Sequence, residues 1–141
     1  MLFRSGTTVK FWADPQYFDS DKFSVPRLKH VMRAKAVLCP GLRVKFHNEA
    51  TNEKEEWFYT GGLRDYLSEQ LKGLEHMPDE PSAGAHKGEA GAVDWAFAWV
   101  RDGGELSAES YVNLIPTTEG GTHVNGLRVG VTEAIDRKSL V

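Results

Sequence analysis

The apolar positions change period several times along the chain, and each change marks a predicted element. In Thr7-Thr8-Val9-Lys10-Phe11-Trp12, Val9 and Phe11 fall on one side of a β-branched and aromatic run, which predicts a strand ending at Ala13-Asp14-Pro15. Ser24 as N-cap and Pro26 in the first turn open a helix with Leu28, Val31, Met32 and Leu38 in period, closed before Pro40-Gly41. Lys35 falls near the centre of that stripe, either as an aliphatic stem with its head in water or as half of an internal ion pair or ligand contact. Residues 42–47 alternate strictly, and after the polar turn 48–54 a short aromatic strand over 55–59 completes a hairpin. Leu63, Tyr66, Leu67 and Leu71 then predict an amphipathic helix over residues 62–73.

The second half has a different texture. Pro78 and Pro81 precede a run of mostly small residues, so residues 78–92 are expected to form a connector between two structural units. Val93, Trp95, Phe97 and Trp99 share one face of a predicted strand over 92–101, followed by a turn at Asp102-Gly103-Gly104. Residues 107–115 should supply its hairpin partner, ending at Pro116. Thr122 is the expected N-cap of a last helix with Val124, Leu127, Val131 and Ile135 in period. Gly126 and Gly130 each cost about 1 kcal/mol inside a helix, so close packing against another element is the expected compensation.

Composition narrows the class. The 141 residues are 40% apolar and carry 17 Lys or Arg against 20 Asp or Glu, the balance of one folded soluble domain and not of a disordered chain, and the predicted helices and strands together make it α+β. A single cysteine, Cys39, excludes an internal disulfide and a cysteine-based zinc cage, and agrees with a reducing, cytoplasmic setting. No apolar run is long enough to span a bilayer, and the first residues lack a signal-peptide core.

The two ends stand apart. Leu2-Phe3-Arg4-Ser5 can be written CTC TTC CGA TCT, and its reverse complement, read one base in and continued by one base, encodes Asp136-Arg137-Lys138-Ser139. Residues 1–5 and 136–141 are therefore expected to be translated sequencing adapter, which leaves residues 6–135 as an internal piece of a longer protein.

Catalytic chemistry is sparse. The five histidines lack the spacing of a metal site, and Glu55-Glu56 and Asp79-Glu80 suit solvated faces better than acid–base pairs. No nucleophile elbow or Walker A sequence occurs. Charge placement is more informative. Lys22, Arg27, Lys29, Arg33, Lys35, Arg43 and Lys45 occur with no acidic residue between Asp21 and Glu49. Arg27, Arg33 and Arg43 are thus candidate contacts to DNA phosphates, against the alternative of a solvated face neutralised by acids elsewhere. Gly120-Gly121-Thr122 at a helix start could hold an anion or simply cap the helix.

The segments GTTVKFW (6–12), KAVLCPG (35–41), ESYVNLIPT (109–117) and GGTHVNGLR (120–128) resemble the ATPase subunits of bacterial type II topoisomerases. The likeness runs over residues 6–135 and is greatest to the B-subunit of topoisomerase IV; the B-subunit of gyrase shares the GGTH core but less around it. Ala13 departs from the family's FWPD, and residues 82–91 differ from its usual connector. The resemblance implies the C-terminal part of a GHKL ATPase domain over 6–73, a connector over 74–91, and the first part of a ribosomal-S5-like transducer domain over 92–135. It implies ATP and Mg²⁺ as cofactors of the complete subunit, with the catalytic Glu, the Mg²⁺-binding Asn and the glycine-rich lid upstream of this piece. Only Thr7 and Val9, on the strand that floors the adenine pocket, carry over as nucleotide-binding residues, and the piece alone is expected to be inactive. The implied partners are double-stranded DNA and, in a heterotetramer, a second copy of the B-subunit with the topoisomerase IV A-subunit. A gyrase B segment and a stand-alone α+β module binding a nucleic acid or protein remain the alternatives.

Overall fold

The computed structural model describes residues 8–89, 91–101 and 107–139. It contains α1 (Val25–Leu38), β1 (Arg43–Asn48), β2 (Glu53–Phe58), α2 (Leu63–Gln70), β3 (His76–Gly88), β4 (Gly91–Val100), β5 (Tyr111–Val112), β6 (Ile115–Pro116) and α3 (Thr122–Ser139). The six strands form three separate antiparallel pairs, β1–β2, β3–β4 and β5–β6, so the fold is mixed α+β. No helix among the described residues is long and apolar enough to cross a membrane.

Helix α1 begins and ends where its punctuation requires. Ser24 occupies the N-cap position with extended dihedrals, Pro26 sits in the first turn, and the Cys39 amide closes the last turn on the Lys35 carbonyl at 3.1 Å. The Gly41 amide then donates to the Tyr59 carbonyl at 2.9 Å, tying the end of α1 to the end of β2. The strict alternation of β1 turns Val44 and Phe46 toward α1, opposite Trp57 and Glu55 on β2. Ala36, Val37 and Tyr59 form the small core, with Val44, Trp57, Leu63 and Tyr66 packed around them. Helix α2 is shorter than its pattern predicts, ending at Gln70, and Leu71 just beyond it is 2% exposed.

Three sequence-based expectations change. No strand forms at residues 8–12: Val9, Phe11 and Trp12 are 74%, 68% and 76% exposed, because none of the described strands runs beside them and a strand without a ladder partner leaves its amides unpaired. The segment expected as a connector is the long strand β3, whose residues from Ser82 to Gly88 pair with Gly91 to Phe97 of β4. Its small residues make room for rings: a Cβ on Gly84 would lie 2.4 Å from the Trp95 ring. Having taken β3 as its partner, β4 does not pair with residues 107–115, which instead make the two-residue ladder β5–β6.

Along β4 the Trp95, Phe97 and Trp99 rings pack in series, with centroids 5.5 and 4.9 Å apart. Helix α2 packs on both strands of this hairpin, so the β3–β4 unit is fastened to the α1–α2 unit. The turn expected at 102–104 lies outside the described residues.

Helix α3 starts one residue earlier than expected. The Gly121 carbonyl accepts from the Val124 and Asn125 amides, so Gly121 holds the capping place and Thr122 is the first helical residue. Gly126 and Gly130 face open space and no other element packs on α3, so the expected close packing is absent among the described residues.

Candidate functional site

The densest polar cluster lies where α1, the end of β2, α2 and the segment leading into β5 meet. Arg33, on the inner side of α1, points into this junction. Its Nε donates to the Tyr59 hydroxyl at 3.0 Å, its guanidinium pairs with Glu69 at 3.0 Å, and its Cζ stands 5.0 Å over the Tyr66 ring. The Tyr59 hydroxyl in turn donates to Glu69 at 2.8 Å, and the Tyr59 and Tyr66 rings meet edge to face.

Tyr66 carries the cluster onward. Its hydroxyl donates to Glu109 Oε1 at 2.9 Å, while the Tyr111 hydroxyl donates to Glu109 Oε2 at 2.6 Å. His30 Nε2 stands 3.9 Å from the same carboxylate. A second tie runs alongside: Lys35 Nζ donates to the Leu114 carbonyl. The head of Lys35 is thus neither free in water nor, among the described residues, in an ion pair, but donates to a backbone carbonyl at an exposed position. Between these ties lies a cleft of about 100 Å³ with an apolar floor of Ala34, Val37, Leu63 and Leu67.

Electrostatics follow from this packing. Burial and the neighbouring carboxylate push the Tyr66 phenol up to about 12, and the same causes push Tyr111 well above the ordinary tyrosine range. Burial and Glu69 also raise Tyr59, against the opposing Arg33 cation. Burial works against the Arg33 charge, but Tyr59 and Glu69 outweigh it and hold the cation more firmly than in water.

Three of the seven cations of the basic run are paired with carboxylates of β2. Lys29 bridges Glu53 and Glu55, which raise its pKa, and Lys45 and Arg43 both pair with Glu56 and hold its carboxyl below the ordinary range. Of the three candidate phosphate contacts, Arg33 is engaged internally and Arg43 is paired with Glu56 while lying over the Phe58 ring at 4.4 Å. Arg27 is exposed and has no ion pair among the described residues. Thr7 lies outside the described residues.

Exposed Val9 forms no wall of a closed pocket, and among the described residues no group of three or more His, Cys, Asp or Glu could hold a metal ion. A larger open groove of about 640 Å³ beside Met77 and Trp99 carries the exposed Arg101–Glu75 pair and gathers no comparable cluster.

Sequence reasoning did not single out Tyr59, Tyr66, Glu69, Glu109 and Tyr111 as a set. Glu109 and Tyr66 are 43 positions apart, and no local periodicity joins them. The ESYVNLIPT segment marked the neighbourhood but not the contact.

Known structures share this fold. The B-subunit of the DNA gyrase from Myxococcus xanthus superposes with a TM-score of 0.80 at 25% identity, over 89% of this chain and 36% of that one. The topoisomerase IV ATP-binding domain of Francisella tularensis, solved with a small-molecule inhibitor, gives 0.70 at 38% identity over 91% of this chain and 34% of that one. The fold is of the class found in bacterial gyrase B and topoisomerase IV ATP-binding regions. A family model described as DNA gyrase B matches residues 62–139, and the chain belongs to that family. Among curated relatives, the B-subunit of DNA topoisomerase 4 from Pseudomonas aeruginosa is 57% identical over 131 residues, and that from Escherichia coli K12 is 54% identical over the same length. Each alignment covers 93% of this chain but 21% of the relative, so the chain spans about a fifth of the proteins it matches.

Proposed function

We propose that this chain is a segment of the B-subunit of a bacterial topoisomerase IV, the ATP-hydrolysing component of a type II enzyme that passes one DNA duplex through another. In this reading the complete subunit uses ATP and Mg²⁺, acts in the cytoplasm on double-stranded DNA, and assembles as two copies with the A-subunit. The segment straddles two domains: residues 6–73 are the C-terminal part of the GHKL ATPase domain and 92–135 the beginning of the transducer, with β3 spanning the boundary between them. Its task is to carry nucleotide state toward the DNA gate. Thr7 and Val9 belong to the adenine side of the complete pocket, an assignment resting on the GTTVKFW resemblance.

The observation that carries the reading is 57% identity to a topoisomerase IV B-subunit across nearly the whole chain. The gyrase B alternative is less specific, since the gyrase structures match at 25% and 22% identity against 38% for the topoisomerase IV domain. A stand-alone module is disfavoured by the exposed Phe11, Trp12, Met77 and Ile135, apolar surface of the kind that further protein normally covers.

The test is a chimera in which residues 6–135 replace their counterpart in the Pseudomonas aeruginosa protein, reconstituted with the A-subunit from that organism. Linked DNA circles should be separated in an ATP-dependent manner, without introduction of negative supercoils. Supercoiling would move the assignment to gyrase. A chimera that binds ATP and assembles into the heterotetramer yet never passes a duplex would refute the reading.

A further inference from the structure

The β5–β6 pair and helix α3 have no backbone packing against the α1–α2 unit, since no helix or strand of that unit lies against them. What joins them is side chains. Glu109, with a side chain 29% exposed, uses both carboxylate oxygens: Oε1 accepts from Tyr66 of α2, and Oε2 accepts from Tyr111 and faces His30 of α1. Lys35 supplies the parallel tie to the Leu114 carbonyl.

The turn that receives Lys35 is not a relaxed one. Asn113 and Leu114 both have positive φ, 48° and 67°, and for leucine that region costs about 1 kcal/mol. Beyond this turn the Thr117 amide donates to the Ser110 carbonyl at 2.8 Å, closing the ladder just before Gly120 and Gly121 lead into α3. The position of Glu109 is thereby transmitted to the start of α3 through a short, internally bonded unit.

We propose that Glu109 is a positioning residue whose carboxylate pins the β5–β6 unit, and with it α3, to Tyr66 and His30 of the nucleotide-side unit, so that nucleotide state is coupled to duplex passage through this carboxylate. The proposal rests on the functional reading above and names the contact through which that coupling runs. One oxygen accepting from Tyr66 of α2 while the other is held by Tyr111 within its own unit makes a joint with an engaged and a released arrangement. The cleft of about 100 Å³ beside it leaves room for the Tyr66 ring and the Glu109 side chain to part.

The experiment uses the full-length chimera in its heterotetramer and the variants Glu109→Gln, Glu109→Ala, Tyr66→Phe and the double variant Glu109→Ala/Tyr66→Phe. Two quantities are read: ATP hydrolysis without DNA, and decatenation events per ATP hydrolysed with DNA. Glu109→Ala and Tyr66→Phe should leave hydrolysis without DNA and the KM for ATP within about twofold of the parent, while events per ATP fall by about fivefold or more. The double variant should be no worse than Glu109→Ala, because both remove one contact. Glu109→Gln, which keeps one acceptor oxygen, should fall between parent and Glu109→Ala.

Unchanged events per ATP in an active chimera would overturn the pin alone. A parallel fall of hydrolysis without DNA would make Glu109 a packing residue and also overturn it. A parental chimera that does not decatenate would refute the functional reading and the pin with it.

Discussion

Arg33 separates two accounts of the basic run, and replacing it with glutamine distinguishes them quantitatively. The guanidinium donates to buried Tyr59, pairs with Glu69 and lies over Tyr66. A charge-assisted hydrogen bond to a buried hydroxyl contributes about 1.5 kcal/mol. The Glu69 side chain is 46% exposed, so that pair is screened and contributes about 0.5 kcal/mol. The cation over the ring adds about 0.5 kcal/mol at a partly exposed site. Allowing glutamine to recover part of one bond, Arg33→Gln should lower the free energy of local opening by about 2 kcal/mol. Native-state hydrogen exchange on the chimeric protein reads this directly: amides of α1, β2 and α2 should exchange about 30-fold faster. The salt dependence of DNA-stimulated ATP hydrolysis should keep its slope, since no phosphate contact has been lost. Arg27→Gln is the comparator, removing an exposed cation without disturbing the cluster. Unchanged exchange in Arg33→Gln together with a log–log salt slope reduced by about 0.9 would place Arg33 on a phosphate and refute the inward assignment.

Three further outcomes follow from the same geometry. Tyr66, with its pKa pushed up to about 12, stays neutral in the folded protein where an unfolded tyrosine ionises near 10; its contribution is complete below that lower value and is lost as pH rises from it toward the folded one. Tyrosinate absorbance of the chimera should therefore show a late-titrating component that shrinks in Tyr66→Phe, and a late component of undiminished size would contradict the burial of Tyr66 and its bond to Glu109. Leu71→Ala, at a position 2% exposed, should reduce protection of the α2 and β3 amides by about 2–3 kcal/mol, and a change below about 0.5 kcal/mol would show that this site is not packed. Calorimetric titration of the 141-residue chain with ATP and Mg²⁺ should give no tight binding, and metal-dependent micromolar affinity would contradict the assignment of the phosphate and metal ligands to other parts of the enzyme.

Much of the first unit was legible because its signals are local. Ser24, Pro26 and Pro40-Gly41 bracket α1, and the alternation from Arg43 to His47 reports a hairpin whose register then follows. The strand β4 was equally plain from Trp95, Phe97 and Trp99, but the face they share is only partly covered, with Val93 and Trp99 exposed, and not buried as the spacing predicts. What failed depended on partners distant in sequence. The small residues of β3 resemble a linker until Trp95 is laid across Gly84, and the alternation at Val9 and Phe11 produces no strand without a neighbour to pair with. The candidate site shows the same limit. A run of cations reveals its charge but not the acids that face it, and Glu53, Glu55, Glu56 and Glu69 all come from later elements. Glu109 became meaningful only when the fold brought it to Tyr66 and His30.

Whether this chain is an internal piece of a topoisomerase is decided by sequencing the source gene outward from the codons for Gly6 and Ile135. The expected result is a single longer reading frame in which Leu2-Phe3-Arg4-Ser5 and Asp136-Arg137-Lys138-Ser139 are absent, a glycine-rich lid with its upstream Glu and Asn precedes Gly6, and further transducer sequence follows Ile135. A frame that retains both tetrapeptides and carries no such upstream motif would contradict it, and would leave a module that shares this fold without the enzyme around it.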